Sequence, residues 1–133
     1  MQVERLDHVN IITDRLDDTA RFYATLLGLE RRDAPPPLTP QNAQWMYDRN
    51  GQAIVHINAT DCPRTYDRSV EPGAVTGAIH HVALKCSGHA DLIEQIGAMG
   101  LAYQTNVVPA IGLTQVFTTD PNNVLLELNF FDA

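Results

Sequence analysis

The chain has 133 residues, with 9 basic against 16 acidic side chains and a formal charge of −7 at pH 7. That length allows one domain or two small modules sharing a core, and a pI near 5.0 excludes the concentrated basic face that nucleic acid requires. No apolar run approaches the roughly 20 residues of a membrane helix, and MQVERLDHV carries no apolar leader core, so a cytoplasmic protein is expected.

In chain order, Arg5–Thr13 is rich in β-branched residues without a helical stripe and reads as a strand. Leu16, Ala20, Tyr23 and Leu27 then recur at helical spacing, with Phe22 and Leu26 widening the face. Asp14 or Asp17 is the expected cap, and Gly28 the expected stop. Strands are expected near Leu29–Arg32, at Ala43–Tyr47 and at Gln52–Ala59, with the Pro35-Pro36-Pro37 breaker between the first two. The Asn50-Gly51 pair marks a hairpin turn between the last two. Thr60–Gly77, rich in proline, glycine and polar residues, reads as a linker. A strand Ile79–Cys86, a helix near Ala90–Met99 stopped by Gly100, and strands at Leu101–Val107, Leu113–Thr119 and Val124–Phe130 follow. Cys62 and Cys86 are too few and too far apart for a CxxC zinc site or a disulfide framework.

The order of elements repeats. Leu6-Asp7-His8-Val9-Asn10-Ile11 aligns with Ile79-His80-His81-Val82-Ala83-Leu84 at an offset of 73 residues. Asp48-Arg49-Asn50-Gly51 and the strand after it align with Asp120-Pro121-Asn122-Asn123 and its strand, at an offset of 71 where His56 meets Glu127. The chain therefore divides into module one (1–59), a linker (60–77) and module two (78–133) within one domain. The fold class is α+β, two tandem βαβββ modules.

The duplication puts His8 and His81 in the first strand of each half, and His56 and Glu127 in the last. Each alone is an ordinary strand residue. At paired positions of a repeat, three imidazoles and one carboxylate form a donor set for a divalent transition metal with open positions for substrate. One ion per site is expected, with Zn, Ni, Co, Mn and Fe all admissible.

This pattern resembles the vicinal oxygen chelate superfamily, which includes glyoxalase I, bleomycin resistance protein, methylmalonyl-CoA epimerase, fosfomycin-resistance proteins and extradiol dioxygenases. The resemblance is carried by LDHVNI, DDTARFYATLLGL, AIVHI, IHHVALKC and FTTDPNNVLLELNF, and it covers nearly the whole chain. It implies curved sheets forming a half-open barrel around the metal, with His8, His81 and Glu127 on the shared ligand positions. His56 falls where glyoxalase I has a carboxylate and the epimerase an amide. It is either a fourth ligand and second proton-transfer group or a non-ligand, as in the dioxygenases. The resemblance also implies a homodimer with sites at the subunit interface.

The remaining polar residues are less specific. Strand alternation points His80 away from His81, and His89 at the second helix start reads as solvated. Asn10 shares the face of His8 and could orient a substrate oxygen. Trp45 with Tyr47, and Gln115 with Phe117 on the corresponding strand, could wall a substrate pocket or belong to the core. Arg31, Arg32, Arg49, Arg64 and Arg68 are dispersed, as surface arginines are.

The metal site with a nearby Glu127 suits a lyase or isomerase that removes a carbon-bound proton from a small substrate held through two adjacent oxygens, by way of an enediolate. Extradiol ring cleavage is the alternative, because two His and one carboxylate also hold Fe(II). A small-molecule sequestering protein is a third possibility, disfavoured by the presence of all four ligand-type residues.

Overall fold

The computed structural model describes residues 1–2, 4–63 and 75–131. Most of the expected linker, including Arg64 and Arg68, lies outside these described residues. The chain divides into two compact units, Met1–Pro72 and Gly73–Ala133. Each carries one βαβββ repeat, so the α+β duplicated architecture is as the sequence implies.

In the first unit the elements are β1 (Val9–Thr13), α1 (Leu16–Leu27), β2 (Glu30–Asp33), β3 (Ala43–Tyr47) and β4 (Ala53–Ala59). The second has β5 (Val82–Cys86), α2 (His89–Met99), β6 (Gln104–Val108), a 3-10 turn (Pro109–Ile111), β7 (Leu113–Thr119) and β8 (Leu125–Phe130). The sheet orders are β1-β4-β3-β2 and β5-β8-β7-β6. In each, three antiparallel strands form a meander and the first strand adds parallel to the last. Neither four-stranded sheet closes on itself.

Helix α1 forms where the apolar stripe lies, and it buries Ala20, Phe22, Tyr23 and Leu26. Those side chains meet the face of the sheet that carries Ile11, Met46, Val55 and Ile57, all buried. Gly28 ends the helix in the left-handed conformation, φ 68°, and its N–H donates to the Ala24 carbonyl at 3.1 Å. The start differs from expectation. Neither Asp14 nor Asp17 caps it; the cap position is Arg15, with no side-chain cap bond. Asp17 sits in the first turn, where it receives Arg31 Nη2 at 2.7 Å and Arg21 Nη2 at 3.0 Å. Arg31 also donates through Nε to the buried Gln44 at 2.8 Å, so it ties helix to sheet.

The hairpin before the last strand is built identically in both units. Asp48 Oδ1 accepts from the backbone N–H of Asn50 and Gln52, and Asp120 Oδ1 accepts from Asn122 and Val124. The third position after each aspartate has positive φ, Gly51 at 76° and Asn123 at 63°. Between this turn and the last strand, the repeat offset falls from 72 to 71 residues. The cause is a bulge: Met46 pairs with Val55 and Tyr47 with Ala53, which leaves Ile54 as one extra residue in β4.

Asp120 is buried, so its two charge-assisted bonds hold the second turn in a site that water does not serve. Asp120→Ala should lower unfolding stability by about 1–3 kcal/mol in urea titrations, with Asp120→Asn losing less because its amide keeps an acceptor oxygen.

Candidate functional site

The face of each sheet away from its helix carries the ligand-type residues, and strand register decides which of them meet. In the first unit Asn10 pairs with His56 across the parallel β1–β4 ladder, and in the second Ala83 pairs with Glu127 across β5–β8. His8 and His81 each lie two residues before those partners, just ahead of the paired strand. His8 is therefore to His56 what His81 is to Glu127.

The two pairs make different contacts. The rings of His8 and His56 stack, with centroids 3.8 Å apart and planes inclined by 12°. The far face of His56 lies on Trp45, its direct cross-strand partner, at 3.9 Å and 6°. Trp45 in turn packs on the buried cluster of Ala34, Ala43 and Cys62. His8 Nδ1 lies 2.6 Å from Asp7 Oδ2. That hydrogen bond holds the Asp7 carboxyl below its usual range. Burial holds the His56 imidazole below its ordinary pKa, helped by the His8 ring and opposed by a bond to the Ala53 backbone.

In the second unit His81 Nε2 lies 3.0 Å from Glu127 Oε2. Glu127 is the more enclosed, with 14% of its side chain exposed against 38% for His81. Its other oxygen accepts from Gln115 Nε2 at 2.7 Å and Asn129 Nδ2 at 3.0 Å. Phe117 is the direct cross-strand neighbour of Glu127, as Trp45 is of His56.

Several sequence expectations change. His80 does not point away from His81: both precede β5, and their Nδ1 atoms lie 3.0 Å apart. His89 is half-buried, edge-on to Phe130, with its Nε2 buried and lacking a hydrogen-bond partner among the described residues. Gln115 contacts Glu127 directly. Arg31 is engaged by Asp17 and Gln44, and Arg32 by Glu30 at 3.0 and 2.9 Å. Asn10 is exposed on the open face beside His56. Asp7 and Asn129 went unnoticed as site residues, although Asn129 shares the face of Glu127 by simple alternation. Within each unit the described residues gather two ligand-type side chains on this face, and no group of three that could hold a metal occurs among the described residues.

A family model for the Glyoxalase/Bleomycin resistance protein/Dioxygenase superfamily matches residues 5–128. The chain belongs to this superfamily. It is 22% identical over 131 residues to "Glyoxylase I 4" of Arabidopsis thaliana, covering 96% of this chain and 71% of that protein. Among solved structures of the superfamily's fold, a glyoxalase family protein of Bacillus anthracis superposes with a TM-score of 0.72 at 16% identity, covering 99% of this chain and 98% of that one. A variant of the fosfomycin resistance protein FosX from Listeria monocytogenes, complexed with Mn(II) and 1S,2S-dihydroxypropylphosphonic acid, does so with 0.65 at 14%, covering 96% and 90%. At such identities the solved structures establish the shared fold. No helix among the described residues is long and apolar enough to cross a membrane.

The lowered His56 pKa sets a pH dependence. Above the unfolded value near about 6.5 the ring is neutral in both states and costs nothing. As pH falls through that value the unfolded chain takes up a proton that the folded ring resists, so stability declines until the folded pKa is passed. Urea titrations of metal-free protein between neutral and mildly acidic pH should show this decline, and His56→Asn should reduce it. An identical pH profile in the variant would contradict the assignment.

Proposed function

We propose that this member of the superfamily is a metal-dependent lyase or isomerase of the glyoxalase type, acting on a small substrate through two adjacent oxygens. The observation that carries this reading is the His81–Glu127 pair, at the same register as His8–His56. Its 3.0 Å separation suits two donors of one ion, since ligands at about 2.1 Å and right angles stand about 3 Å apart. Imidazole and carboxylate are donors for Zn, Ni, Co, Mn or Fe, and the Listeria protein's Mn(II) is consistent with that range. His8, His81 and Glu127 would hold the ion.

His56 fits less well as a fourth ligand in its present orientation. Ring lone pairs lie in the ring plane, and planes only 12° apart do not bring those of His8 and His56 to one point. Coordination by both requires one ring to turn about its Cβ–Cγ bond.

A bound divalent ion supplies Lewis acidity that stabilises negative charge on substrate oxygens. Glu127 Oε2 is the acceptor for the carbon-bound proton and returns it at the neighbouring carbon. A His8 that donates its Nδ1 proton to Asp7 would turn Nε2 toward the ion, and His81 would coordinate through the Nε2 that faces Glu127. Asn10 sits beside His56 to orient a substrate oxygen, and Phe117 and Trp45 flank the two pairs.

The stacked geometry of His56 favours one second reading. If His56 stays out, two histidines and one carboxylate remain, the donor set of Fe(II) oxygenases. Assays on methylglyoxal hemithioacetal with Zn, Ni, Co or Mn, and on catechols with Fe(II) and O₂, separate the two. Turnover of the hemithioacetal, falling by about 10²- to 10⁴-fold in Glu127→Gln, is expected. Ring cleavage of catechols alone would establish the second reading instead.

A homodimer in which each site draws one ligand pair from either subunit makes a separate prediction. Co-refolding His8→Ala with Glu127→Ala should restore part of the activity, because one site of the heterodimer then carries both lesions and the other neither. No recovery would mean that each site is built within one chain.

A further inference from the structure

Three amide side chains on the open face of the second sheet lead to one oxygen of Glu127. Asn106 on β6 pairs with Gln115 on β7, and Gln115 with Asn129 on β8, two residues beyond Glu127. Asn106 Nδ2 donates to Gln115 Oε1 at 2.8 Å. Gln115 Nε2 donates to Glu127 Oε1 at 2.7 Å and to Asn129 Oδ1 at 3.3 Å. Asn129 Nδ2 donates to the same Glu127 oxygen at 3.0 Å.

The polarity of this chain is forced. An ionised carboxylate only accepts, so Gln115 must turn its NH₂ toward Glu127 and its oxygen toward β6, where Asn106 must offer NH₂. Turning over the Gln115 amide would set its oxygen against the carboxylate. Orientation is thus imposed from the charge outward, across three strands.

We propose that Gln115 and Asn129 are positioning residues that reserve Oε1 of Glu127 and leave Oε2, the oxygen facing His81, as the one offered to a metal ion and to a transferred proton. The proposal rests on the metal-site reading above, and it moves Gln115 from substrate contact to support of a ligand. The first unit provides an internal control. Its counterpart of the Gln115–Asn129 pair is Ala43–Asn58, and its counterpart of Glu127 is His56. There the amide donor from the third strand is missing, and Asn58 Oδ1 is buried without a hydrogen-bond partner among the described residues. The donor pair is present in the half that has a carboxylate at this position of the repeat. Charge-assisted bonds of this kind fix a carboxylate in one rotamer, which is how partners behind a ligand tune metal binding.

Co(II) is the probe, because chelator competition gives its affinity and its visible bands report its coordination without any substrate. Gln115→Met, which keeps the volume and removes the donors, should bind Co(II) about 10- to 100-fold more weakly than the parent and shift its visible bands. Asn129→Leu removes the second donor and should act in the same direction, so the test does not depend on one variant folding. Thermal melts of the metal-free proteins identify the folded ones. Parent-like affinity and spectrum in the folded variants would overturn the proposal while Glu127→Ala still abolished binding. If the parent took up no Co(II), or Glu127→Ala bound it unchanged, the metal-site reading would fall first and this proposal with it.

Discussion

Parallel pairing between the first and last strand of each half is the constraint on which the rest of the structure depends. Two parallel neighbours cannot be joined by a tight turn, so the chain must leave and cross over, here through a helix and two more strands. That path gives the βαβββ unit its order, and it puts the chain's two ends of the unit side by side. Register then fixes which side chains meet. Because Asn10 pairs with His56 and Ala83 with Glu127, the residues two positions earlier, His8 and His81, fall within reach of the same partners. A shift of one residue would turn His56 or Glu127 toward the helix.

On this common frame the helix-facing sides are alike and the open sides have diverged. The helix side needs only apolar volume, which Ile11, Met46, Val55 and Ile57 supply in one unit and Val116, Leu126, Leu128 and Phe130 in the other. The open side must suit the group it carries. A neutral imidazole is held by flat surfaces, and His56 lies between His8 and Trp45. A carboxylate needs donors, and Glu127 has Gln115 and Asn129. The two halves thus present a His–His pair and a His–Glu pair, a difference that follows from the exchange of His for Glu at one position of the repeat.

The repeat, the element order and the helix faces were legible in the sequence, because each leaves a local periodicity or a recurring turn. Gly28, Gly100 and the Asp48 and Asp120 turns stand where the spacing predicts. Element ends were less legible. The strand expected from Arg5 begins at Val9, and that expected from Ile79 begins at Val82, since pairing with the last strand starts only there. This late start also defeats the alternation argument for His80. Strands β2 and β6 carry almost no buried residues and lie at sheet edges, so no hydrophobic alternation marks them. The amide chain from Asn106 to Glu127 was hidden for another reason: its members are 9 and 12 residues apart, and only the antiparallel register brings them into line.

His8, His81 and Glu127 are proposed to serve one ion and not two. Metal counted per chain after loading with Mn(II) or Zn(II), in the parent, His8→Ala and His81→Ala, tests it most directly. One tightly held ion per chain is expected, lost from both variants although each keeps the other unit's pair intact. Two ions per chain in the parent, or a full ion retained by His8→Ala, would contradict it.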